Sequence, residues 1–115
     1  MKELFFNLKM WYQKKTRGYS DIELWNLDIT FAEWILPRLK EFKARTDGYP
    51  GDVATFEEWQ EMLDTMIKAF ELYIKDFNEM TVTNDEEVLK LMEEEGKIMK
   101  EGFELFGKRF VSLWW

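Results

Sequence analysis

Three copies of one start signal constrain this chain more than any other feature. Ser20-x-x-Glu23, Thr55-x-x-Glu58 and Thr83-x-x-Glu86 each open a stretch in which large apolar residues recur every three or four positions. A hydroxyl side chain and a Glu three residues later can satisfy two of the orphan N–H groups at a helix N-terminus. At about 100° per residue, positions three and four apart share a face, so the spacing that follows is helical. The chain is therefore predicted to be all-α: a single domain over residues 1–115, a four-helix, up-down, bundle-like fold with a short first helix and a Pro-kinked, central second helix.

The first helix is expected from about Lys2 to Thr16, with Leu4, Leu8, Trp11 and Tyr12 on its apolar side, ending at Arg17-Gly18, where Gly takes the left-handed cap. In the second, Ile22, Trp25, Ile29, Ala32, Leu36 and Leu39 form one stripe, and Leu27, Phe31 and Trp34 form another. Together the stripes span roughly 240°, which predicts a nearly central helix. Asp21, Asp28 and Arg38 fall inside that arc, where a charge needs a partner, a ligand or a solvated pocket. Pro37 removes one hydrogen bond and predicts a kink near Glu33 to Pro37 without a stop, because the apolar pattern continues to Leu39 and Phe42.

Turn chemistry fills TDGYPGDVA, residues 46–54. The third helix, from Phe56 through Trp59, Leu63, Met66, Phe70 and Tyr73 to Phe77, has no charge in its stripe. Val88, Met92, Met99, Phe103, Phe106, Phe110 and Leu113 mark the fourth. Gly96, Gly102 and Gly107 each cost that helix roughly 1 kcal/mol relative to Ala, which points to close approach by a neighbour or a local irregularity.

Composition removes whole classes of chemistry. There is no Cys and no His among the 115 residues, so cysteine or histidine nucleophile systems, imidazole-ligated metals and disulfides are excluded. With 46% hydrophobic and 17% aromatic residues the chain can build a core without such staples. The opening MKELFFNLKMWYQKK lacks the uninterrupted apolar core of a signal peptide, and no run approaches membrane-spanning length. A soluble intracellular protein, without membrane contact, is expected. Residues 1–19 carry five bases against one acid, residues 20–95 carry 7 bases against 20 acids, and residues 96–115 carry four bases against two acids. The acidic middle argues against duplex nucleic acid as a partner, though a small anion could still be held by two or three bases.

Glu57-Glu58-x-x-Glu61 has the EExxE spacing by which helical nucleoside-triphosphate pyrophosphatases hold magnesium. No second acidic motif accompanies it, and acids in a first helical turn are favoured by the helix dipole in any case, so no metal or cofactor is expected. Glu93-Glu94-Glu95 reads as a solvated face. Trp25, Trp34 and Trp59 read as core, and Leu113-Trp114-Trp115 as a segment that docks back onto the fold or onto another copy.

The candidate ligand-binding residues are Arg17, Ser20, Asp21, Trp25, Asp28, Trp34 and Arg38. Arg38 follows Trp34 by one turn, a spacing that allows a guanidinium to stack on an indole or to reach a phosphate. Arg17 and the amides at Ser20 to Ile22 would add donors for an anion, and an aromatic ring would stack a base.

RGYSDIELWNLD, FAEWILPRLKEFK, YPG, EEWQEMLDTMIKAFELY and EGFELFGKRFVSLWW together resemble a group of small phage-encoded helical proteins. The resemblance implies a phage accessory protein and supplies no catalytic residue to carry over. In that context the expected function is non-catalytic: a homo-oligomeric host-defence antagonist of the host cytoplasm, its aromatic ends offering self-complementary surface, that sequesters a small anionic nucleotide signal. The alternative is an inhibitor or assembly factor that engages a protein, such as a host defence protein, through the acidic surface. A magnesium-dependent nucleotide hydrolase is the third.

Overall fold

The computed structural model describes residues 2–79 and 84–114. The described chain is all-α: α1 (Lys2–Arg17), α2 (Asp21–Trp25), α3 (Leu27–Arg45), α4 (Phe56–Asn78) and α5 (Glu86–Arg109), followed by a 3-10 turn (Phe110–Ser112). It divides into two compact units, one ending at Phe31 and one beginning at Ala32.

In the first unit, α1 ends as expected at Gly18, whose φ of +89° is open to glycine and strained for other residues, and whose N–H bonds the Lys14 carbonyl at 3.0 Å. The segment predicted as one kinked helix is interrupted at Asn26, which leaves the helical region at φ −121°, ψ 49°. Asn competes well for such backbone conformations because its side chain bonds locally. The wide apolar arc does not make this segment central. Trp25 is 88% and Leu27 58% exposed, so the charges of Asp21, Asp28 and Arg38 need no buried compensation: all three are exposed. Among the described residues of α1 and α2, none is buried.

The second unit holds the core. Ala32 and Leu39 of α3, Val53 of the connection, and Trp59, Leu63, Met66, Ile67 and Phe70 of α4 form one buried cluster, with Phe103, Leu105 and Phe106 of α5 packed against it. α3 continues through Pro37. It runs antiparallel to α4, tied by Lys43 to Asp64 at 2.9 Å and by the Gln60 amide donating to the Lys43 carbonyl at 3.3 Å. α4 begins as the sequence predicts, with Thr55 Oγ1 accepting from the Glu58 N–H at 3.1 Å. Phe70 meets Phe103 and Phe106 edge-on, with ring centroids 5.1 and 5.2 Å apart. Each such pair adds about 0.5–1.5 kcal/mol beyond its burial.

Two expectations for the last helix change. Asp85 caps α5, accepting from Glu87 N–H at 2.9 Å, and the proposed cap Thr83 lies outside the described residues. Glu95 is buried at 9% exposure instead of solvated, because the Lys75 ammonium of α4 lies 3.2 Å from its carboxylate. Of the three glycines, Gly102 answers to close approach by α4, while Gly96 and Gly107 face open space.

Candidate functional site

α1 is amphipathic along its whole length, and its two apolar sides have different fates. Phe6 and Met10 turn toward α2, where with Ile22 and Trp25 they line a groove of about 260 Å³ rimmed by Lys9 and Asp21. Leu4, Phe5, Leu8, Trp11 and Tyr12 lie within a separate arc of roughly 120° on the helix. These five side chains are 52–69% exposed.

Asp21 fastens α1 to α2. Its carboxylate accepts from Gln13 Nε2 at 2.8 Å and from Arg17 Nη2 at 2.5 Å, and Lys9 Nζ stands 3.8 Å away. The Asp21 N–H in turn donates to Gln13 Oε1 at 2.8 Å, so backbone and side chain grip the same amide. The Gln13 hydrogen bond, followed by that from Arg17, holds the Asp21 carboxyl below the ordinary range. Arg17 also donates through Nε to the Tyr19 carbonyl at 2.9 Å and lies 4.6 Å over the Tyr19 ring.

This arrangement revises the anion site expected at the junction. The Ser20 N–H donates to Glu23 Oε2 at 2.5 Å and the Asp21 N–H to Gln13, so both amides already have side-chain acceptors. The Ser20 N–H bond, above all, keeps Glu23 ionised to lower pH than usual. Arg17 is neutralised by Asp21. Ser20 is buried at 4% exposure, inside the capping turn and away from any incoming phosphate.

The remaining candidates sit apart in role. Trp25 is surface instead of core and forms one wall of the α1–α2 groove. Asp28 stands in the first turn of α3, where a negative charge suits the helix dipole. Trp34 is also surface, 51% exposed, and the Arg38 guanidinium lies 4.1 Å from its ring centroid, with Nη1 donating to the Trp34 carbonyl at 2.7 Å. The stacking foreseen for this pair is present.

Sequence reasoning missed a second concavity, a cleft of about 500 Å³ in the second unit between the Thr46–Asp52 connection and Ser112 and Trp114, with Trp59 among its lining. Its signal was present in TDGYPGD, whose turn residues hold Tyr49 half-exposed. Arg109 of α5 closes one end: its Nη1 reaches Asp52 Oδ1 at 2.8 Å and Oδ2 at 2.9 Å, which lowers the Asp52 pKa chiefly through that hydrogen bond. Leu113 packs against the core, Trp114 is 76% exposed, and Trp115 lies outside the described residues.

Among the described residues, no three carboxylates converge as a metal-binding group, and Glu58 of the EExxE run accepts from the Ala54 N–H at 3.3 Å. No helix among them is long and apolar enough to cross a membrane. No protein-family profile, curated protein sequence or solved structure matches the chain.

Proposed function

We propose that this chain is a non-catalytic phage accessory protein that acts by holding a partner protein, in the manner of a host-defence antagonist, and that α1 is the element that holds it. The observation that carries this reading is the stripe Leu4, Phe5, Leu8, Trp11 and Tyr12, five large apolar side chains on one face, each more than half exposed. Single apolar residues on a surface are ordinary, whereas a contiguous set marks a binding face. Lys2 stands at the start of the stripe and Lys14 and Lys15 at its end, with Glu3 the one acid of the helix. The matching surface is an apolar groove rimmed by carboxylates, engaged by a helix laid into it. The Asp21 clasp presents α1 already ordered, which lowers the cost of binding.

The test is co-purification from phage-infected cells, followed by titration of the purified partner. A stoichiometric partner retained by the native chain and lost by the Leu8→Glu, Trp11→Glu double variant supports the reading. Equal retention by the variant contradicts it.

Sequestration of a small anionic nucleotide stands as the second reading, favoured by the exposed Trp34 carrying Arg38 at 4.1 Å. It now rests on that pair and not on the Arg17 and Ser20 junction. An adduct of nucleotide mass in native mass spectrometry, lost in Arg38→Ala, would move it ahead, and a bare chain from infected cells would remove it.

A further inference from the structure

We propose that the cleft of the second unit is a binding site for an organic cation of the methylated-ammonium type, formed by Tyr49 and Trp114 over the buried Trp59, with Asp47 among its lining. Three observations combine. The cleft is lined by three aromatic residues, and two of them, Tyr49 and Trp114, are 49% and 76% exposed and so present ring surface to solvent. The charged residues of its lining are Asp47 and Asp52, both acidic. Asp52 is engaged by Arg109, and Asp47 is the second carboxylate of the lining.

The walls are also held in place before any guest arrives. Val53 anchors the connection in the core, and its N–H closes a turn on the Pro50 carbonyl at 3.0 Å. Thr46 is buried, with its N–H on the Phe42 carbonyl at 2.8 Å. On the other side, Leu113 packs on the core, and its N–H bonds the Phe110 carbonyl at 3.2 Å. The Arg109–Asp52 pair, in which Nη1 donates to both carboxylate oxygens, then spans the two sides. Aromatic faces carry negative quadrupole density, so a cage of this kind favours a cation whose charge is spread over methyl groups. A compact, strongly hydrated ammonium or an anion gains nothing comparable there. A volume of about 500 Å³ admits a trimethylammonium group with part of the chain that bears it. The site is independent of the α1 stripe, and either can fail without the other.

The guest can be a free small cation or the side chain of a trimethylated lysine in a peptide, and the test separates the two. The full chain is titrated with tetramethylammonium, with a trimethyl-lysine peptide, and with neopentyl alcohol as the neutral isostere, while the indole N–H resonances of Trp59 and Trp114 are followed. The expected result is saturable shifts at those indoles with either cation, and binding weaker by about tenfold for the isostere and for Trp114→Leu and Tyr49→Leu. Tighter binding of the peptide assigns a protein source, and tighter binding of the free ion a small molecule. No saturable shift with either cation, equal binding of the isostere, or cation binding unchanged in both variants overturns the proposal.

Discussion

A β-carbon at Gly102 of α5 would overlap the β-carbon of Ala69 on α4 and come within 2.7 Å of the Thr65 carbonyl oxygen. The two helices pack at backbone contact there, with no room for a methyl group. Gly102→Ala is expected to destabilise the fold: overpacking costs about 1–3 kcal/mol, against roughly 1 kcal/mol gained in helix propensity. Gly107→Ala, which meets open space, is expected to stabilise by about 0.5–1 kcal/mol. Urea unfolding midpoints that move in opposite directions for the two variants check this; a stabilised Gly102→Ala would mean that the helices separate more easily than the packing implies.

The Asp21 clasp carries a pH signature. Its pKa is lowered from 3.8 by Gln13 and then Arg17, so the stabilisation is present above the unfolded value and is lost as pH falls through the folded one. A carboxyl-carbon titration of Asp21 is expected to show a midpoint below 3.8 in the native chain and a return toward the ordinary value in Gln13→Ala, Arg17→Ala. A native midpoint at or above 3.8 would mean that the clasp does not hold in solution.

Asp76 behaves oppositely. Burial, then the Glu95 carboxylate facing it across α4 and α5, raises its pKa above 3.8, with Lys75 opposing the shift and Glu79 adding to it. The folded state binds this proton more tightly than the unfolded state, so Asp76 withdraws stability as pH rises from the unfolded value through the folded one. Asp76→Asn keeps a donor for Glu95 and is expected to be more stable than the native chain at pH 7, with the gain vanishing in acid. Thermal midpoints measured across that range decide it, and a variant less stable at pH 7 would refute the account of this cluster.

The helices were legible because their signals are local. Thr55, the stripe from Trp59 through Leu63 and Met66 to Phe70, and the Gly18 cap depend on residues within a turn or two of one another and take the expected roles, whereas Phe77 at the end of the stripe is exposed. The burial of α3 was not legible in the same way. Period places Ile29, Trp34 and Leu39 on apolar arcs, yet Ile29 and Leu39 are buried and Trp34 is half-exposed, since burial depends on which neighbours reach each side. Glu95 failed for the same reason: its burial is set by Lys75 and Asp76, some 20 residues away in sequence. At the candidate site, the Arg38–Trp34 stack was readable from a one-turn spacing. The loss of the Ser20 and Asp21 amides to Glu23 and Gln13 was only half readable: Ser20-x-x-Glu23 announces the first, but Gln13 sits on another helix.

The central claim is that the α1 stripe is occupied by a partner protein. It is tested most directly by placing a photo-cross-linking amino acid at Trp11, irradiating phage-infected cells that make the full chain, and identifying the adduct by mass spectrometry. The account predicts one dominant adduct, to a different protein whose cross-linked surface is an apolar groove bordered by Asp and Glu, and its loss when Leu8→Glu is added. An adduct only to a second copy of this chain, or none above background, would contradict it.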